Sequence, residues 1–197
     1  MYFLRGYAIL NWIKAALCAP WKDGLYYGLF DKLFGGKAAS ETKFSGQKMT
    51  VMLPIDGKVI PLEQLPDETF ASAILGPGCG VEPTGDTVYA PFDGTVTQVP
   101  ESLHAVGMMS DDGIELLIHV GMDTVEMKGQ GFISLTKEGA KVKAGTPLLK
   151  VDLEAIRAAG HPTATALIVT NSDDLPEISV AANGDAAAGT PVFKFKK

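Results

Sequence analysis

The chain has 197 residues, 46% of them hydrophobic, which is enough for one compact domain with a real core and some chain left over. With 17 Lys and Arg against 23 Asp and Glu the net charge is −6, so no broad positive field exists for a phosphate backbone and nucleic acid is excluded as a partner. The cysteines, Cys18 and Cys79, make no disulfide framework and stand in no zinc-binding spacing, a usage that fits a reducing cytoplasm.

The first residues differ in kind from the rest. Phe3, Tyr7, Leu10, Ile13, Leu17 and Trp21 recur at helical steps and form one apolar stripe. Arg5, Lys14 and Lys22 break the uncharged runs far short of the about 20 residues that a membrane span needs. The expectation is an amphipathic extension over residues 1–36, with peripheral contact to an anionic membrane through residues 1–34, or packing on the domain as the plainer alternative. Residues 37–48 are polar and read as a linker, leaving residues 49–197 as the folded domain.

Within that domain, short Val, Ile and Leu runs bounded by turn residues predict strands at 50–53, 87–90, 94–99, 105–109, 114–120, 132–135, 147–151, 166–170 and 191–195. Asp152 is placed to cap a short helix over Leu153 to Ala159, and Gly160 to stop it. Two phrases recur. Pro54-Ile55-Asp56-Gly57-Lys58-Val59 is echoed by Pro91-Phe92-Asp93-Gly94-Thr95-Val96, and Ala144-Gly145-Thr146-Pro147 by Ala188-Gly189-Thr190-Pro191. The expected fold is all-β, a duplicated antiparallel β-sandwich of the barrel-sandwich hybrid type with short connecting helices.

Two of the three histidines, His104 and His119, flank one predicted hairpin with Ser110-Asp111-Asp112-Gly113 at its tip. A two- or four-residue loop gives paired positions that sum to 223 or 225 and sets both imidazoles on one face; a three-residue loop gives an even sum and opposite faces. On the odd registers their neighbours are Val106, Met108 and Leu117. A pair of neutral imidazoles can divide labour, one attacking through a lone pair and the other donating an N–H. For phosphoryl transfer, one ring takes the group on nitrogen while the second binds its oxygens, oriented by a hydroxyl such as that of Ser102.

From about Thr50 onward the sequence resembles the glucose-type IIA component of the bacterial phosphoenolpyruvate-dependent sugar phosphotransferase system. The matching stretches are PDETFA from Pro66, EPTGDTVYAPFDGTV from Glu82, HAVGMMSDDGIELLIHVGMDTVEMKGQGF from His104, the Gly-x-x-Val-x-x-Gly segment around Val142, and VTNSDD from Val169. GLFDKL at Gly28 resembles the amphipathic N-terminus of the enteric member. The resemblance implies that His119 is phosphorylated on Nε2, that His104 assists transfer onward, and that Ser102 replaces a Thr bonded to that second histidine. It also implies that Asp67 and Asp123 meet arginines of the phosphocarrier HPr, and that Phe70, Ile74, Leu117 and Val125 form an apolar docking patch. Pro100 and Val106 replace aromatic rim residues of that patch. The implied partners are HPr, a IIB or IIBC permease component and regulatory targets. No cofactor is implied beyond an intermolecular zinc that relatives hold with the same two histidines.

Two rivals share small β architectures. A LytM-type zinc peptidase would use His119 and Asp123 as its HxxxD motif, but the following HxH is missing and only His161 remains. A biotin or lipoyl carrier would present Lys128 at a hairpin tip, without the flanking residues such carriers use.

Overall fold

The structure is a computed structural model that describes Phe44 and residues 46–196. The amphipathic stripe and most of the linker lie outside the described residues. No helix among those residues is long and apolar enough to cross a membrane.

Fourteen strands occur among the described residues. They are β1 (Thr50–Met52), β2 (Gly57–Ile60), β3 (Gly78–Pro83), β4 (Thr87–Tyr89), β5 (Gly94–Gln98), β6 (Ala105–Ser110), β7 (Glu115–His119), β8 (Phe132–Ser134), β9 (Lys141–Val142), β10 (Pro147–Val151), β11 (Thr165–Val169), β12 (Ile178–Val180), β13 (Gly184–Ala186) and β14 (Pro191–Phe195). The sequence does not predict β2, β3, β9, β12 or β13: they are short, or carry Gly, Pro, Lys and Asp that dilute the alternation. Helix α1 (Glu68–Ala71) is one turn capped by Asp67, whose Oδ1 accepts from Phe70 N at 3.1 Å. Helix α2 (Leu153–Ala158) follows expectation, with Asp152 Oδ1 accepting from Ala155 N at 3.0 Å.

An eight-stranded sheet runs β13-β2-β3-β11-β7-β6-β5-β9, and two three-stranded sheets run β1-β14-β12 and β4-β10-β8. All ladders among the described residues are antiparallel, and these residues form an open β-sandwich. The strand order is itself duplicated about the β11–β7 pair. Adding 37 to one partner and subtracting 44 from the other converts Thr50↔Lys194, Val51↔Phe193 and Met52↔Pro191 into Thr87↔Lys150, Val88↔Leu149 and Tyr89↔Pro147, with a bulge at the same step.

The two repeated phrases turn out to be each other's hydrogen-bond partners. Asp56 Oδ1 accepts from Ala188 N at 2.7 Å, and Asp93 Oδ1 accepts from Ala144 N at 2.8 Å. Leu53 N donates to Thr190 O and Gly189 N to Leu53 O, while Ala90 N donates to Thr146 O and Gly145 N to Ala90 O. Each Asp-Gly turn is thus tied to the Ala-Gly-Thr-Pro turn of its own half. The echo exists in the sequence because both halves need the same carboxylate over the same bare backbone N–H.

One face of the long sheet and both small sheets enclose the main core, to which Val51, Val88, Ile118, Leu149, Leu167 and Phe193 contribute without exposure. A second, smaller cluster lies on the other face: Ile60, Leu62, Leu65, Phe70, Met122, Ala166 and Ile168, with Leu117 packed against it. The long β2–β3 connection, residues 61–77, covers that face with a 3₁₀ turn (Leu62–Gln64) and α1.

Candidate functional site

His119 ends β7 and points to this second face. Alternation along β7 explains it: Leu116 and Ile118 are buried in the main core, whereas Leu117 and His119 face outward and are half-buried. The hairpin register differs from both odd registers. The tip closes with a three-residue loop, Ser110 N bonding Ile114 O and Gly113 adopting φ 87°, so the paired positions sum to 224: Ala105 opposes His119 and Val106 opposes Ile118. Val106 and Met108 therefore face the main core, and only Leu117 of the three expected neighbours shares the face of His119. Val106 has no exposure and is withdrawn from the docking surface.

An even register ought to part the imidazoles, yet their ring centroids lie 4.8 Å apart, at 74°. The explanation is local. His104 stands just before β6, after Leu103 in the left-handed region at φ 54°, and strict alternation applies only to extended backbone. Its carbonyl still joins the ladder, accepting from Val120 N at 2.8 Å, while its ring turns toward His119.

Each ring is held by its Nδ1. His119 Nδ1 lies 2.8 Å from the Gly121 carbonyl, which can only accept, so this nitrogen carries the proton and Nε2 keeps a lone pair. His104 Nδ1 lies 2.7 Å from Ser102 Oγ. When the hydroxyl donates, His104 carries its proton on Nε2 as a donor. Burial, reinforced by the neighbouring His104, pushes His119 down to about 4; the Gly121 bond and the Asp67 and Asp123 charges oppose this and lose. Burial also lowers His104. Both rings are therefore neutral near pH 7.

Phe70 stacks on His119 at 4.9 Å between ring centroids, tilted by 54°, and is buried. Ile74 and Val125 are 76% and 52% exposed, large apolar side chains left to solvent. Asp123, in a left-handed conformation, is exposed and begins the 3₁₀ turn Thr124–Met127, while Asp67 is half-buried at the start of α1. The roles of Gly121 and Thr124 escape the sequence reading. A glycine two residues beyond a candidate histidine is a signal for the first, and no periodicity reveals the second.

Two imidazoles supply two metal ligands. Among the described residues no group of three His, Cys, Asp or Glu side chains is placed to hold a metal ion, so those residues offer a zinc at this pair no third ligand. His161 does not complete a peptidase triad; it follows α2, its N–H bonded to Ile156 O. Lys128 closes the 3₁₀ turn instead of capping a hairpin.

The sequence model of the family described as "phosphoenolpyruvate-dependent sugar phosphotransferase system, EIIA 1" matches residues 49–175. The chain belongs to this family. It is 40% identical to the glucose-specific EIIA component of Halalkalibacterium halodurans over 82% of this chain and 94% of that protein. It is 41% identical to the mannose-specific EIIBCA component of Corynebacterium glutamicum over 80% of this chain but only 23% of that protein. The chain thus spans under a quarter of such multidomain relatives and nearly the whole of the short ones. Glucose permease IIA from Mycoplasma capricolum has the same fold, with a TM-score of 0.67 and 29% identity over 73% of this chain and 93% of that one.

Proposed function

We propose that this EIIA chain is a phosphoryl carrier that takes phosphate from phosphorylated HPr on His119 Nε2 and passes it to a cysteine of a IIB domain. The observation that carries the reading is the ring pair: His119 with its proton on Nδ1 and a free Nε2, 4.8 Å centroid to centroid from a second neutral imidazole. The Nε2 lone pair attacks phosphorus, a new N–P bond forms, and the donor's N–P bond breaks with its electron pair returning to the donor ring. No proton has to leave His119 Nε2, because burial keeps the ring neutral. His104, with Nδ1 engaged by Ser102, presents Nε2–H to the phosphoryl oxygens. In the second transfer a thiolate attacks phosphorus and Nε2 recovers its lone pair.

Phe70, Ile74, Leu117 and Val125 form the apolar docking patch in this reading, flanked by Asp67 and Asp123, whose charges attract a basic partner. Once a partner covers it, the apolar patch keeps water from the labile P–N bond. IIB and IIC are the onward partners: relatives are named EIIBCA and EIICBA components. The carrier works in the cytoplasm, and the sugar never touches it.

The test is labelling with phosphoenolpyruvate, enzyme I and HPr. The wild-type chain takes up acid-labile phosphate, His119→Gln takes up none, and His104→Gln takes it up but transfers it to IIB at least about a hundredfold more slowly. Normal labelling of His119→Gln would end the assignment.

A further inference from the structure

The loop after β7 contains a hydroxyl that serves neither the main core nor the ring pair directly. Thr124 has no exposure, and its Oγ1 donates to the Val120 carbonyl at 2.6 Å. Val120 is the junction of the site. Its N–H holds the His104 carbonyl at 2.8 Å, and the next carbonyl along, that of Gly121, accepts from His119 Nδ1 at 2.8 Å.

The Gly121 peptide is confined from both sides. A Cβ built there would lie 2.5 Å from Thr124 Cγ2 and 3.0 Å from the Pro162 carbonyl, and φ is 72°, which glycine alone adopts without strain. Pro162 O also accepts from Met122 N at 3.0 Å, fixing the far end of the same turn. The two peptides that flank Gly121 are thus each tied down: the Thr124 hydroxyl holds the Val120 carbonyl of the first, and Pro162 O holds the Met122 N–H that shares a plane with the Gly121 carbonyl in the second. In the other half of the sheet, 49 residues on, Thr170 and an exposed Asp173 occupy these places, so the buried hydroxyl belongs to the histidine half.

We infer that Thr124 is a positioning residue for phosphoryl transfer: by anchoring the Val120–Gly121 backbone it keeps the proton of His119 on Nδ1 and so keeps Nε2 the attacking nitrogen. This rests on the phosphoryl-carrier reading. A neutral imidazole without that acceptor populates both tautomers, and the one protonated on Nε2 has no lone pair there to attack phosphorus. Thr124 touches no reacting atom and acts through the Val120–Gly121 peptide, whose carbonyl it holds.

The experiment compares the full chain with Thr124→Val, Thr124→Ala and Thr124→Ser, using ¹⁵N-labelled histidine at pH 7.5. Long-range ¹H–¹⁵N spectra report the His119 tautomer, and single-turnover labelling from phosphorylated HPr reports the rate. Wild type and Thr124→Ser are expected to hold the Nδ1–H tautomer. Thr124→Val and Thr124→Ala are expected to show a share of Nε2–H and an about tenfold slower phosphorylation at saturating donor, with donor affinity unchanged. Folded Val and Ala variants in which His119 remains wholly Nδ1–H overturn the inference. Loss of the folded spectrum in both also overturns it, since Thr124 is then structural. A wild-type chain that takes up no phosphate ends the carrier reading, while the tautomer comparison still reports on the loop.

Discussion

At the end of β7 the sheet displays His119, opposite Ala105; at the matching place on β11 it displays Ile168, opposite Gly78. The ladder bond that follows these two positions is the same. Val120 N bonds His104 O at 2.8 Å, and Val169 N bonds Pro77 O at 2.9 Å. Side chains differ, and so does what lies above them. In the first half, residues 61–77 arch over the face and bury Ile168 and Phe70 among Leu62 and Leu65; in the second, only residues 99–104 connect β5 to β6, too few to form such a cover. Duplication supplied a frame for both halves, and the candidate site lies where one half leaves its outer face open. The cover is not idle, because it brings the Phe70 ring to His119 and caps α1 with Asp67.

Acid should separate the two halves most strongly in stability. His119 is depressed from 6.5 to about 4 by burial and by His104, so the unfolded chain binds a proton in that window when the folded chain does not. Its contribution is complete above pH 6.5 and is lost progressively as pH falls toward 4, by up to about 3 kcal/mol. Urea unfolding at a series of pH values should show wild type losing stability faster than His119→Gln over this range. Parallel curves would break the claim that burial holds the His119 ring neutral. A smaller effect tests the equivalence of the frame. Asp56→Ala and Asp93→Ala each remove a carboxylate from a backbone N–H, and each should destabilise by about 1–2 kcal/mol in the same assay. A severe loss from one and none from the other would mean the halves are alike in outline only.

The smallest effect concerns Lys143, which sits 2.7 Å from Asp93 in open solvent. Its ammonium, together with the Ala144 N–H, holds the Asp93 carboxyl below the usual range. Lys143→Ala should leave the thermal midpoint within measurement error, because an exposed ion pair is screened and costs side-chain entropy. A clear drop would shift the credit from the backbone cap to the ion pair.

Much of this was readable from residues alone, for reasons that differ by element. The echoes at Asp56 and Asp93 revealed duplication because a turn carboxylate and its small-residue partner must be repeated literally. His104, His119 and Ser102 stood out as rare polar groups around one hairpin and within one family pattern. Register was not readable. Ser110-Asp111-Asp112-Gly113 can close in several ways, and the observed closure depends on Ser110 Oγ accepting from Asp112 N and Ile114 N at 3.2 and 2.9 Å. That choice moved Val106 and Met108 to the core side. The rings met regardless, because Leu103 breaks the extended backbone at the one place where alternation would have parted them. Helix α1 is too short to show a helical period, so the cover over the second face leaves no periodic trace in the sequence.

Along β7 the tasks are divided residue by residue. Leu116 and Ile118 anchor the sandwich, while Glu115, Leu117 and His119 look the other way. Glu115 and Leu117 can therefore change around His119 while the inward set goes untouched. One strand of five residues then serves as both keel and signboard, and its outer face can drift without putting the hull at risk.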